Sequence, residues 1–192
     1  RDELWSLKDL LDFSLISSSN DGMRAVALAL GALSRADISP DEIVNYFVGE
    51  MNEKASVLGL KNTYFWNETG LDESEVKGGA YGSARDMSTL MAHVIEEYPE
   101  LLSATKEPEV KFASLDDEIH LAKNTNNIIY DIPGLIASKT GYTVTAGGNL
   151  SIIFDPELGR PIVITVMGST EEGRFDDVRA LVNASLEYLS AK

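Results

Sequence analysis

Apolar residues recur along the first third of the chain at three- and four-residue spacing. Leu7, Leu10, Leu11 and Leu15 form one set and the Ala/Leu-rich run Met23 to Leu33 a second, with the polar stretch Ser17 to Gly22 between them. That period lays apolar side chains on one helix face, so two helices are predicted. A third is predicted from Ser39-Pro40-Asp41-Glu42. Ser39 can cap it, Pro40 fits its first turn and Glu42 completes a capping box. Its apolar face would be Ile43, Phe47 and Met51, with Tyr46 beside it.

From Gly59 to Gly82 the text is rich in turn residues: Asn62, Asn67, Gly70, Gly78, Gly79 and Gly82. Ser83-Ala84-Arg85-Asp86 then reads as another capping box, leading into Met87, Leu90, Met91, Val94 and Ile95, with Pro99 closing that helix. Val110 to Ile129 reads as loops with one hairpin. Beyond Ile132 the period changes. Leu135–Tyr142, Asn149–Phe154 and Pro161–Met167 are short runs rich in Ile and Val, separated by Gly147-Gly148 and by the segment Asp155 to Gly159. They predict a three-stranded antiparallel meander. Thr170 is placed to cap a final helix with Phe175, Val178, Val182, Leu186 and Leu189 on one stripe. Residues 1–131 are thus expected to be mostly helical, and 132–192 to hold the meander and a closing helix.

The chain has 192 residues, 44% hydrophobic, with a formal net charge of −15. That length suits one domain with a real core. No Lys/Arg cluster offers a face to phosphates, so nucleic acid and anionic membrane surfaces are poor partners. Cysteine is absent, which removes disulfides, Cys-ligated zinc and thiol catalysis. The two histidines, His93 and His120, have no partner spacing for a metal or a Ser-His-Asp triad. No cofactor is expected. No apolar run is long enough to span a bilayer. The first residue is Arg1 rather than Met, which leads us to expect a removed leader or a longer parent chain.

Two short patterns can carry chemistry: Ser18-Ser19-Asn20 near the amino end, and Lys139-Thr140-Gly141 on the first predicted strand. Ser-x-Asn is expected about once by chance in this composition, Lys-Thr-Gly only about 0.04 times. A hydroxyl and an amide on one loop can relay a proton and grip a substrate amide. A strand lysine can bring a fixed charge to a carboxylate. Thr140 adds a donor, and Gly141 lets a substrate backbone approach. A plainer reading uses the same residues: Ser18 and Asn20 cap the helix from Asp21, and Lys139 is a solvated strand residue.

The wider text resembles the D-alanyl-D-alanine carboxypeptidases, the low-molecular-mass penicillin-binding proteins of serine type. Ser18-Ser19-Asn20-Asp21 resembles their second motif. Leu58 to Phe65, then Asn67 and Gly70-Leu71-Asp72, resembles their linking segment, as does Tyr81 to Met87. Ile136 to Thr143, followed by Ala146 to Leu150, resembles the third motif. The likeness covers nearly the whole chain in the family's order. It implies an α/β (α+β) fold of the β-lactamase/transpeptidase-like kind: an antiparallel sheet flanked by helices plus a helical subdomain. It also implies acyl transfer on the D-Ala-D-Ala end of peptidoglycan stem peptides in the bacterial cell envelope, outside the cytoplasm, with β-lactams as mimics. Ser18 would relay a proton and Asn20 bind the substrate amide. Lys139 and Thr140 would hold the terminal carboxylate beside Gly141, and the Tyr142 N–H would serve the oxyanion.

One part of the pattern is missing. The family's Ser-x-x-Lys nucleophile should precede Ser18 by several dozen residues. A Ser-x-x-Lys occurs at Ser103-Ala104-Thr105-Lys106, but it lies between the second and third motifs and is expected to be surface. We therefore expect the later part of such a domain, without its first strands, nucleophile helix and any membrane-anchoring segment. The strand Pro161–Met167 would then be left as an open edge. A non-catalytic binding module on the same scaffold and a β-lactamase are the alternatives. Asp9, Asp12, Glu50 and Glu53 read as solvated helix faces. Met87, Met91, Trp5 and Trp66 read as packing residues, His93 as following a helix face and His120 as part of a polar loop. Asn124 to Asn127 could line the cleft.

Overall fold

The computed structural model describes residues 3–156 and 159–191; Arg1, Asp2, Lys192 and, in the predicted loop, Glu157 and Leu158 lie outside them. Helix α1 (Leu7–Ser17) starts where the Ser6 hydroxyl accepts the Asp9 N–H. Helix α2 (Asn20–Ala32) follows after only two residues, three positions earlier than its apolar run suggests, because Ser19 caps it by accepting the Gly22 N–H. Helix α3 (Pro40–Val57) has the predicted capping box. Its buried residues are Ile43, Val44, Val48 and Ala55, so the buried stripe is rotated towards Val44 and Val48, with Phe47 and Met51 at its margin. Strands β1 (Tyr64–Phe65) and β2 (Ala80–Tyr81) form a two-residue ribbon inside the turn-rich segment. The Asn52 side chain clamps it to α3, accepting the Phe65 N–H and donating to the Phe65 carbonyl, each at 2.8 Å.

Helix α4 (Ala84–Glu97) has only half of its predicted capping box. Ser83 accepts the Asp86 N–H at 3.1 Å, but the Asp86 carboxylate turns away to accept the Asn62 N–H at 2.7 Å and the Thr63 hydroxyl at 3.0 Å. Burial pushes the Asp86 carboxyl up, but those hydrogen bonds outweigh it and hold the group below its usual range. Two separated stretches of the sequence, Asn62-Thr63 and Ser83 to Asp86, are thereby tied together.

The predicted hairpin is β3 (Glu109–Ala113) with β4 (Ile119–Lys123), packed on α1 through Ile16, Phe112 and Ala122. His120 is therefore on a strand, not in a polar loop. Its Nε2 is 2.7 Å from the Glu3 carboxylate and its ring rests against Trp5. Asp12 also departs from expectation: it is 7% exposed and paired to Lys8 at 2.5 Å.

The meander forms in sequence order: β5 (Leu135–Thr143), β6 (Gly147–Phe154) and β7 (Ile162–Ser169), all antiparallel. Leu150, Ile152, Phe154 and Ile164 point to one face and bury against Phe175, Val178 and Val182 of α5 (Gly173–Ser190). The alternate residues Ala137, Ile153 and Val163 meet Met91, Val94 and Ile95 of α4 on the other face. Thr170 does steady the entry to α5, its hydroxyl accepting the Gly173 N–H at 2.9 Å. Among the described residues no strand pairs with the outer edge of β7, nor with the outer edge of β5.

Candidate active site

The turn between α1 and α2 carries Ser18. It caps the carboxyl end of α1 in the left-handed region, φ 54° and ψ 43°, a conformation that costs a non-glycine residue of order 1 kcal/mol. Because Ser19 caps the start of α2, neither Ser18 nor Asn20 does so, which corrects the plainer reading of that motif. Gly22 lets the two helices meet here: a Cβ on it would lie 2.1 Å from the Ser14 Oγ.

Ser18 and Lys139 are 121 positions apart in sequence, yet the Lys139 Nζ donates to the Ser18 Oγ at 2.5 Å and to the Thr140 carbonyl at 2.7 Å. Lys139 is thus not a solvated strand residue. Burial, with the positive charge of Arg174 in addition, pushes its ammonium down to about 8. Beside it the hydroxyls of Thr125 and Thr140 lie 2.5 Å apart, and the Thr125 Oγ1 is 3.4 Å from the Ser18 Oγ. Ser18, Asn20, Lys139, Thr140, Gly141 and Tyr142 all line one open cleft of about 370 Å³.

The cleft runs along the unpaired edge of β5. The Ser138 N–H points away from β6, to the Thr105 Oγ1 at 3.1 Å. The ladder is unbroken from Ser138 to Thr143, so alternation turns the backbone groups of Thr140 and Tyr142 to the same open edge. At Gly141 a Cβ would meet the Asn149 Cβ at 3.7 Å, an ordinary contact. The opposite rim is the turn around Asn67, whose side-chain oxygen accepts the Thr69 and Gly70 N–H groups. Asp72 ties that rim to the β5–β6 hairpin. The Thr145 hydroxyl, with Thr143 in support, holds the Asp72 carboxyl below its usual range against a push upward from burial.

Two polar residues of the cleft, Arg174 and Thr125, were not named individually from the sequence, although Thr125 falls in the Asn124 to Asn127 stretch expected to line it. Arg174 opens α5 and donates from Nη1 to the Gly141 carbonyl at 2.8 Å. It stands four positions before Val178 and eight before Val182, so a cation at the head of an apolar stripe was its signal. Thr125 lies within the Asn-rich stretch, but the neighbouring asparagines are turned inward. Asn124 donates to the carbonyls of Thr105 and Glu107, and Asn126 is buried. Ser103-Ala104-Thr105-Lys106 is a surface 3-10 turn in which Ser103 and Lys106 are exposed and Ser103 donates to the Glu100 carbonyl. A second Ser-x-x-Lys, Ser74 to Lys77, closes a tight turn, and the Lys77 ammonium sits 3.5 Å over the Trp66 ring. Neither sequence lines the cleft. No group of three or more His, Cys, Asp or Glu that could hold a metal occurs among the described residues.

Residues 1–171 match the sequence pattern of the D-alanyl-D-alanine carboxypeptidase family. The chain belongs to this family. It is 33% identical over 181 residues to D-alanyl-D-alanine carboxypeptidase DacF of Bacillus subtilis, covering 94% of this chain and 43% of that protein. Against DacA of Escherichia coli K12 the identity is 34% over 146 residues, 74% of this chain and 33% of that one. The chain therefore spans less than half the length of these two curated relatives. The D-alanyl-D-alanine carboxypeptidase of Mycobacterium tuberculosis superposes with a TM-score of 0.78 at 27% identity, over 95% of this chain and 65% of that one. Penicillin-binding protein D2 of Listeria monocytogenes, solved in its ampicillin-bound form, gives 0.72 at 30%, over 93% and 67%. The fold is that of the penicillin-binding proteins.

Proposed function

We propose that this cleft is two walls of a serine-type D-Ala-D-Ala carboxypeptidase site, and that the attacking serine belongs to a segment other than these 192 residues. The observation that carries the reading is the 2.5 Å contact between Lys139 and Ser18 beside the unpaired edge of β5. A hydroxyl, a cation and a strand edge there face one groove, which suits an extended peptide ending in a carboxylate. The placement of both Ser-x-x-Lys sequences off the cleft supports the second half.

In this reading the D-Ala-D-Ala end of a peptidoglycan stem peptide lies along β5. Thr140, Lys139 and the Arg174 guanidinium receive the terminal carboxylate, Asn20 meets the substrate amide, and the Tyr142 N–H stabilises the oxyanion. The room over Gly141 admits the substrate backbone. The serine hydroxyl gives up its proton as its oxygen bonds to the penultimate carbonyl carbon, the C–N bond breaks, and Ser18 relays that proton to the departing D-alanine amine. Water then hydrolyses the ester and releases the shortened peptide. A β-lactam would enter as a mimic of the same terminus, as the ampicillin-bound Listeria relative suggests. The chemistry would take place outside the cytoplasm, where peptidoglycan lies.

Intact-mass spectrometry after incubation with benzylpenicillin tests the division of labour. The 192-residue chain is expected to keep its mass. A covalent penicilloyl adduct on it would show that the nucleophile is within the chain and overturn that assignment.

A further inference from the structure

The residue the motifs leave out, Thr125, stands where they meet. Its hydroxyl lies 2.5 Å from the Thr140 Oγ1 and 3.4 Å from the Ser18 Oγ. The loop that presents it is held firmly. Asn124 anchors it by donating to the carbonyls of Thr105 and Glu107, at 2.8 and 3.0 Å, and by accepting the Asn126 N–H at 2.9 Å. The Asn126 side-chain oxygen accepts the Ile128 N–H at 3.1 Å, and the Thr125 N–H reaches the Ile16 carbonyl on α1 at 3.4 Å. A short polar residue on a loop this well tied has little freedom to follow a ligand, so its hydroxyl fixes its neighbours.

We infer that Thr125 is a positioning residue that couples the carboxylate grip of Thr140 to the proton relay at Ser18. The inference rests on the function proposed above and deepens it. A threonine hydroxyl has one proton and can donate to one partner only. A carboxylate bound at Thr140 accepts that hydroxyl's one hydrogen bond, so Thr125 must donate to the Thr140 Oγ1 and turn a lone pair towards Ser18. Lys139 already donates to the Ser18 Oγ, and the proton of Ser18 is then directed to Thr125 or out to the substrate. Occupation of the carboxylate site thus orders the hydroxyls around the relay. The charged groups facing this chain are Lys139 from β5 and Arg174 from α5.

The test is binding of N-acetyl-D-Ala-D-Ala to the 192-residue chain by calorimetry, with Thr125→Val, Thr125→Ser and Thr140→Val, each checked for folding by thermal unfolding. Thr125→Val keeps the shape and removes the hydroxyl, and is expected to weaken binding about fivefold, the worth of one net hydrogen bond. Thr125→Ser is expected to restore it. Nuclear magnetic resonance of labelled lysine supplies a readout that packing alone would not move. In Thr125→Val the titration midpoint of Lys139 falls, because a Ser18 hydroxyl that no longer donates to Thr125 is a poorer acceptor. Loss of binding in Thr140→Val with Thr125→Val equal to the parent would overturn this inference and leave the proposed function standing. Failure of the parent chain to bind the dipeptide would overturn both.

Discussion

At the scale of single residues the site is decided by where two side chains cannot go. Ser18 is held in a left-handed backbone conformation, and Lys139 is buried, with the positive charge of Arg174 adding to the cost of its own. The first also ends α1, but a buried ammonium is a cost that local structure does not need, and such costs gather at functional sites. The lysine gives a pH dependence of definite sign. Its ammonium titrates near 8 in the folded chain against 10.5 as an ordinary group, so the charge that attracts a carboxylate is full below about 8 and fades above. Affinity for N-acetyl-D-Ala-D-Ala is expected to fall several-fold from about pH 7 to about pH 9.5, and Lys139→Met to bind weakly without that slope. Stability should run the other way. Between about 8 and 10.5 the unfolded chain holds the extra proton, so urea resistance of the parent rises with pH over that window and that of Lys139→Met does not.

At the scale of elements, the sequence showed most where packing and local chemistry agree. The five helices and the meander were legible because each buries a periodic face, and α3, α4 and α5 also follow a readable Ser or Thr capping signal. The Lys139-Thr140-Gly141 strand was legible for the same reason. What escaped prediction depends on contacts distant in sequence. Ser19 rather than Ser18 or Asn20 caps α2, and Asp86 leaves its capping box for Asn62 and Thr63. His120 pairs with Glu3, and α3 rolls its stripe towards Val44. Thr125 gave no periodic signal because a loop residue has no face. Gly22 is the point where two elements depend on one atom's absence. Gly22→Ala would drive a methyl into Ser14 Oγ, and is expected to cost about 1–3 kcal/mol in urea unfolding, as overpacking does. It should also loosen the Ser18 turn, so weaker dipeptide binding is expected to accompany the loss of stability.

At the scale of the molecule, the family's fold is present as a sheet sandwiched by α4 and α5, with the 3-10 turn at Ser103 to Lys106 and the α1–α2 turn against the open edge of β5. The cleft lies where these layers meet. The outer edge of β7, unpaired among the described residues, is flanked by apolar side chains such as Ile162 and Val166 that join the core under α5. An edge of that kind accepts another strand, and the net charge of −15 opposes chance association with a like copy. The central claim is that Ser18 and Lys139, in direct contact, form part of the lining of one groove for a peptide carboxyl terminus. A crystal structure of this chain with N-acetyl-D-Ala-D-Ala bound tests it most directly. We expect the dipeptide to lie along β5 with its carboxylate within hydrogen-bonding distance of the Thr140 hydroxyl and its amide facing Asn20. A dipeptide bound elsewhere on the surface, with the cleft lined by Ser18 and Lys139 holding only water, would contradict the account.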